Sequence, residues 1–479
     1  MVGAAGSQSD PAGFDRYPLD PQHFDEAVDE GGAPRPTYAA VAEALARQDL
    51  GELAERVRAA TAALDLTFGP GKPVTVDPVP RVIGAAEWEW LQAGLMQRAR
   101  ALNAFLADAY GGQRIFDADV VPRRLLDTSP GYEPRMRGLL AADFPAATVA
   151  GFDLVRDASG ALLVLEDNLR MPSGSSYAKA LRAVVEPALR ASARPRPLAG
   201  FAEALGEALA AAGEDGLATA AIVTDGPDSG AAFEHRDIAA ALGIPILTPG
   251  DLETARGRLF ARIGRERRQL EVVYRRMDAD RLSDPDGSPT AIGELMLPAL
   301  ESGRLRCLNA FGTGLADDKL AHAYVERMID FYLGEEPSLP SVPTLDLSDE
   351  TDRENAMDRL EQLVIKPRDG FGGHGVTIMP RATESQRRRA IGLVRRAPAR
   401  FVAQEVLPLS THPTVAGGRL RPRHVDLRPF VVSSGAGATT MPGGLTRFAP
   451  AEGEMIVNSS QGGGCKDTWV LEPQAGDRR

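Results

Sequence analysis

Apolar positions along the chain recur with two periods, near 3.6 in long runs and near 2 in short ones, and the two kinds of run alternate. Ala and Leu at helical spacing over residues 37–65, with Thr37 as N-cap, predict a helix. AEWEWLQAGLMQRARALNAFLADA (86–109) predicts a second, stopped by Tyr110-Gly111-Gly112, with Trp88 and Trp90 as packing residues. Residues 149–170 change period: VAGFDLVRD and LLVLEDNLR flank the turn ASGA, which predicts a hairpin. Helical spacing returns over 175–212. Over 220–250, AAIVTD, AAFEHRDIAAAL and GIPILTPGDL predict strand–helix–strand, the unit of a parallel sheet. RQLEVVYRRM (268–277) adds a strand, and DDKLAHAYVERMIDFYL (317–333) a helix capped at Asp317 or nearby. Pro337, Pro340 and Pro343 mark a linker. Beyond it the pattern predicts strand–loop–strand over 363–378, a helix over 382–396, and strands at 400–407, 424–432 and 467–471. Glycine-rich connections occupy 435–444 and 462–464, and residues 1–36, rich in Gly, Pro, Ala and Asp, read as mostly irregular.

The whole reads as an α/β chain with α+β lobes. For 479 residues, length alone suggests about three domains. The pattern divides the chain into an irregular and helical segment (1–80), a helical region with the hairpin (81–213), a Rossmann-like unit (214–340) and a C-terminal lobe (341–479). The net charge of −12 argues against broad nucleic-acid binding and against an anionic membrane surface. It leaves room for an anionic ligand in a local basic pocket. Cys307 and Cys465, far apart, read as reduced and structural. The N-terminus lacks the basic and apolar regions of a signal peptide, and no apolar run nears membrane-spanning length, so a cytoplasmic protein is expected.

Candidate chemistry centres on LVIKPRDGFGGHGVTI (363–378). Lys366 on a strand, followed by Gly370, Gly372, Gly373 and Gly375, suits a polyphosphate: glycines let backbone N–H groups approach phosphate oxygens, and the ammonium adds a point charge. The loop lacks the Gly-Lys-Ser/Thr of a Walker motif, and an ordinary hairpin is the plain alternative. Glu166 and Asn168, two apart on one strand, share a face, and a hairpin would bring Asp153 beside them. Such hard oxygen donors suit Mg²⁺; the alternative is a solvated strand edge. Gln404-Glu405, ending an apolar strand, suits adenosine or is a surface acid. Asp426 and Arg428 share a strand face, where the arginine would meet a transferred phosphoryl group or simply pair with the aspartate. NSSQGGGCKD (458–467) offers a second glycine loop with Asn458 and Lys466, and Asp318-Lys319 puts a lysine in the first turn of a helix.

Taken in order, Asp318-Lys319, LVIKPRDGFGGHG, Gln404-Glu405, Asp426-Leu427-Arg428 and NSSQGGG resemble the ATP-grasp superfamily. Its closing piece, GFDLVRD…LEDNL, stands at 151–169 instead of at the C-terminus. That permutation resembles the synthetase domain of glutathionylspermidine synthase and, more closely, the bacterial proteins described as circularly permuted ATP-grasp type 2. The resemblance spans roughly residues 20–475 and implies a circularly permuted ATP-grasp fold with a Rossmann-like pre-ATP-grasp domain. It implies phosphate contacts from Lys319 and Lys366, loop closure by Gly370–Gly375, and adenosine binding at Gln404 and Glu405. It further implies Mg²⁺ held by Asp153, Glu166 and Asn168, transition-state stabilisation by Arg428, and phosphate or substrate placement by Asn458. Arg170 and Ser173 stand where many relatives have Pro-Gly, and His374 where an aromatic residue is expected.

The activity this implies is an ATP-dependent carboxylate–amine ligase working through an acyl-phosphate, with amino acids or peptides as substrates. The competing readings are a non-catalytic nucleotide- or partner-binding protein of the same fold and a kinase-like phosphotransferase. A nicotinamide dehydrogenase ranks last, because VTDGPDSG lacks Gly-x-Gly-x-x-Gly. His235 and His412 are candidate general bases. Arg170, Arg275, Arg276 and Arg447 are candidates for a substrate carboxylate.

Overall fold

A computed structural model describes residues 13–141, 143–370, 374–457 and 462–473. The strand Val149–Arg156, buried along its whole length, is the spine of a nine-stranded sheet. On one side it pairs antiparallel with Leu162–Asn168, placing Asp153 opposite Glu166 and Gly151 opposite Asn168, with a bulge after Asp153. This is the predicted hairpin. On the other side it pairs with Arg419–Arg428 and Phe430–Ser434. The single strand expected over 424–432 is interrupted at Pro429, which has no N–H to donate to a ladder. Leu445–Phe448 and Gly464–Val470 extend the sheet, and Val76–Ile83 closes it by parallel pairing with Gly464–Val470. The periodicity of that last strand is hidden in the sequence by Pro78 and Pro80. At the end of a sheet such prolines are tolerated.

A second, four-stranded sheet is wholly parallel, in the order Arg306–Leu308, Val272–Arg276, Ala220–Thr224, Ile246–Leu247. A third, antiparallel sheet contains Thr344–Asp346, Phe401–Glu405, Leu363–Pro367 and Thr377–Ile378. Val364 faces Ile378 there, so the glycine loop lies between paired strands as predicted. Among the described residues no helix is long and apolar enough to cross a membrane.

Several predicted elements are divided, each for a local reason. The helix expected over 37–65 is two, Ala39–Ala46 and Leu50–Ala63, because Asp49 caps the second by accepting from the Glu52 N–H at 2.9 Å. The helix over 175–212 is Ser175–Leu189 and Gly200–Ala212, separated by a stretch holding Pro195 and Pro197. The strand over 268–277 is two, Glu266–Leu270 and Val272–Arg276, in different sheets. The helix over 317–333 is Gly314–Asp317, Lys319–His322 and Val325–Leu333, and Asp318, next to Asp317, caps the second of these. Trp88 is buried as expected; Trp90 is exposed.

The irregular N-terminal stretch is fastened by buried charge. Glu26 receives a forked pair of hydrogen bonds from Arg81, both 2.7 Å, and one from the Ser410 hydroxyl at 2.5 Å. Burial alone would raise the Glu26 pKa, but Arg81 and Arg156 beside it hold the carboxyl down at about 2. A depressed carboxyl contributes stability in full above its unfolded pKa and loses it as pH falls toward the folded value. Glu26→Gln should therefore lower unfolding stability by about 3 kcal/mol at pH 7, the scale of a broken buried pair. In urea titrations the gap from wild type should close as pH falls from 4.5 toward 2.

Candidate active site

The three larger sheets meet at a cleft of about 1510 Å³. The central sheet contributes Asp153 and Glu166, the antiparallel sheet Lys366 and Gln404, and the parallel sheet the carboxyl end of its strand at Arg276. Ligands of open α/β sheets bind at such strand ends.

Lys319 and Lys366 come together here although 47 positions separate them. Their ammonium groups lie 3.6 and 3.7 Å from the same oxygen of Glu166. Asp318 sets this distance. It caps the turn Lys319–His322 and accepts a forked pair from Arg368, at 2.9 and 2.8 Å, two residues beyond Lys366. Placing one lysine thereby places the other. Burial lowers the Lys366 pKa against the pull of Glu166. Burial would raise Glu166, but Lys319 and Lys366 hold it below the usual carboxylate range. Two ammonium groups around one carboxylate leave positive charge in excess, which suits phosphate oxygens. The Lys319 ammonium also donates to the Gly370 carbonyl at 2.5 Å, joining it to the glycine loop. A Cβ on Gly370 would lie 2.9 Å from Pro367 Cγ, and Gly375 has φ +76, so both positions favour glycine. Gly372, Gly373 and Asn458 lie outside the described residues.

Arg428 forks onto Asp153 at 2.5 and 2.8 Å, and Arg447 bonds both Asp153, at 2.9 Å, and Asp426, at 2.5 Å. Burial would raise Asp153, yet the two guanidinium groups hold its carboxyl well below the usual range. The Asp426 carboxyl is pushed up by burial despite Arg447. Asp153 is thus occupied by arginines, and the side-chain oxygen donors left on this face of the hairpin are Glu166, beside both lysines, and Asn168, which lines the same cleft. The Asn168 side-chain amide has a buried nitrogen with no hydrogen-bond partner. Since amide O and N exchange by a flip, that orphan fits an amide whose oxygen faces a cation. Among the described residues no group of three or more His, Cys, Asp or Glu side chains is placed to hold a metal ion. Mg²⁺ does not need one: it takes one or two protein oxygens and fills its octahedron with phosphate and water. The donor set fits.

Gln404 is buried, donating to Thr344 Oγ1 at 3.0 Å and to the Leu165 carbonyl at 3.3 Å. Glu405 pairs with Arg359 at 2.7 Å. Leu165, Leu407, Leu409 and Met455 form an apolar wall beside them, a feature invisible in the sequence because it draws on three separate segments.

At the other end, Arg276 binds Glu234 at 3.0 Å, the Pro172 carbonyl at 2.8 Å and Ser173 Oγ at 2.6 Å. Glu234 in turn accepts from the N–H groups of Gly174 and Ser176 at 2.8 and 3.0 Å. Arg276 therefore shapes the 172–176 turn. His235 lines the cleft, but its Nε2 accepts from Arg276 at 3.3 Å, and burial with Arg276 beside it pushes its pKa down to about 3. Arg275 is buried against the Asn309 and Ala310 carbonyls away from the cleft, and His412 is buried against Tyr38. Neither lines the cleft. Lys466 pairs with Asp77 in the interior. Arg170 lines the cleft while paired with Asp280 at 2.8 Å. Arg447 was foreseen only as a substrate ligand; its place beside Arg428 depends on a strand pairing that sequence does not show.

These arrangements separate two carboxylates by their role. With chelator present and no nucleotide, Asp153→Asn should lower unfolding stability by about 3 kcal/mol, because it leaves two half-buried guanidinium groups short of a charge beside a buried position. Glu166→Gln, a third exposed, should cost less than about 1 kcal/mol. Urea titrations of the two variants would check this.

The family model described as circularly permuted ATP-grasp type 2 matches residues 80–449. An uncharacterized protein of Mycobacterium tuberculosis is 40% identical over 466 residues, 94% of this chain and 84% of its own length. One of Synechocystis is 38% identical, covering 95% of this chain and 98% of its own. A Frankia alni protein named "Putative glutamate--cysteine ligase 2-3" is 40% identical over 98% of this chain, which spans 56% of the Frankia protein. With most of its length matched by the family model and shared with these relatives, the chain belongs to the circularly permuted ATP-grasp type 2 family.

Proposed function

We propose that the protein is an ATP-dependent carboxylate–amine ligase that forms an amide bond through an acyl-phosphate. The observation that carries this reading is the pair of ammonium groups converging on Glu166, with Asn168 and two arginines beside it, in one cleft between lobes. The family assignment supports ATP as the nucleotide, and the ligase name of the Frankia relatives supports the reaction class. Those relatives are nearly twice as long, so only the class is carried over. In this reading the antiparallel sheet with its glycine loop is the nucleotide-binding lobe, and the parallel sheet is the pre-ATP-grasp domain that bears the acceptor end of the cleft.

The adenine would lie against the apolar wall of Leu165, Leu407 and Met455, with the backbone at Gln404 and Glu405 reading its edge. Lys319 and Lys366 would bind phosphate oxygens, with Gly370 beside Lys319. Glu166 and Asn168 would hold Mg²⁺, which when bound neutralises phosphate charge. A substrate carboxylate oxygen attacks the γ-phosphorus and ADP leaves. The amine then attacks the acyl carbon, phosphate leaves, and the amine gives up a proton. Arg428, oriented by Asp153, would stabilise charge on the transferred phosphoryl group. Such chemistry depends on positioning and charge neutralisation, so it needs no protein nucleophile. Covering the cleft would keep water from the acyl-phosphate.

Calorimetric titration should show ATP binding that requires Mg²⁺ and is weakened about tenfold or more in Lys366→Ala, which removes a charge-assisted contact. With amino acids or short peptides added, ADP and free phosphate should appear together. A stable phosphorylated product without amide would refute the ligase reading. Glu166→Gln should abolish Mg²⁺-dependent turnover with the fold intact. Arg428→Ala should lower kcat by more than it weakens ATP binding; equal losses would refute its transition-state role.

A further inference from the structure

Beside the two lysines lies a second, small space of about 10 Å³, bordered by Glu166, Asp167, Lys319, Lys366, Gln404 and His322. That is about the size of one water molecule, and a buried water needs two to four polar partners. His322 is three positions after Lys319 on the same helical turn, so the two side chains share a face. The imidazole is 4% exposed. Its Nδ1 lies 2.7 Å from Asp167, which accepts a forked pair from Arg98 at 2.6 and 2.9 Å, and 3.2 Å from the same Arg98 guanidinium. The carboxylate is the nearer of the two and only accepts, so we assign the proton to Nδ1, which leaves Nε2 as the ring's acceptor. Among the described protein atoms that Nε2 is buried with no partner. Asp167 stands between Glu166 and Asn168 on the strand, so alternation turns it to the opposite face. The chain Arg98–Asp167–His322 therefore supports from behind the strand whose other face holds Glu166.

We propose that His322 is a positioning residue for the phosphate-binding lysines, acting through one water held in this cavity. The water donates to His322 Nε2 and to the Glu166 carboxylate and accepts from the Lys366 ammonium. It fixes both groups where phosphate oxygens are to meet them. The role rests on the nucleotide site proposed above.

Two substitutions separate this role from packing. The amide of His322→Asn replaces Nδ1 and keeps the bond to Asp167; that of His322→Gln reaches the position of Nε2. By calorimetry with MgATP, His322→Asn should raise Kd about tenfold, the scale of a hydrogen bond to a charged group, with the melting temperature of wild type. His322→Gln should stay nearer wild type. Equal Kd values for His322→Asn and wild type, or equal losses in the two variants, would overturn the proposal. A high-resolution crystal structure of the wild type should show a water within hydrogen-bonding distance of Nε2 and Lys366 Nζ. Its absence overturns the proposal even where a variant fails to fold. A wild type that binds no MgATP sinks the nucleotide site and this role with it. A wild type that binds MgATP as tightly as His322→Asn sinks this role alone.

Discussion

Asp153 sits in the interior under two guanidinium groups, and the site depends on that neutralisation. A carboxylate taken from water without a partner costs several kcal/mol or more. Asp153 is buried on the central strand of the largest sheet, so its partners have to be delivered by the strands beside it. Arg428 arrives from a strand 275 positions away and Arg447 from the next one. The packing allows this at one point. A Cβ on Gly151 would lie 2.8 Å from Pro172 Cβ and 3.4 Å from Arg428 Cδ, so a glycine at that position lets the arginine lie across the strand. The hairpin is thereby held against strands remote from it in the chain.

The same device recurs around the cleft. Arg368 fixes Asp318 and with it the Lys319 turn. Arg98 fixes Asp167 behind Glu166, and Arg276 fixes Glu234 and the turn over 172–176. Each pair is buried, and each ties a segment bearing a site group to a segment remote in sequence. Replacing such pairs by apolar residues is often neutral for stability, whereas removing one partner is costly. We take their function here to be geometric. They set where lysines, carboxylates and turns stand without offering those charges to a ligand. What remains for a ligand is the excess positive charge of Lys319 and Lys366 around Glu166, a local basic site in a chain of net charge −12.

The order of motifs and much of the architecture were legible in the sequence because they rest on local patterns. Strand periodicity around ASGA gives the hairpin, glycines bounded by apolar runs give the loop, and AAIVTD with its following helix gives the parallel unit. Spacing also put Glu166 and Asn168 on one strand face. Errors came where one residue outweighed a period: Asp49 as a cap, Pro429 in a strand, Pro195 and Pro197 between helices.

Sequence by itself determined which residue types could do phosphate and metal chemistry, and in which order they come. Tertiary structure alone decided which of them are available. Asp153, a metal-ligand candidate in sequence, pairs with Arg428 and Arg447 in the fold; His235, a candidate base, accepts a hydrogen bond from Arg276. No motif assigns a role to Asp167 or His322, and only the packing of strand against helical turn brings them together beside the lysines. The reason is physical. Period and turn chemistry act between neighbours in sequence, whereas desolvation and charge pairing depend on which distant strand is buried alongside.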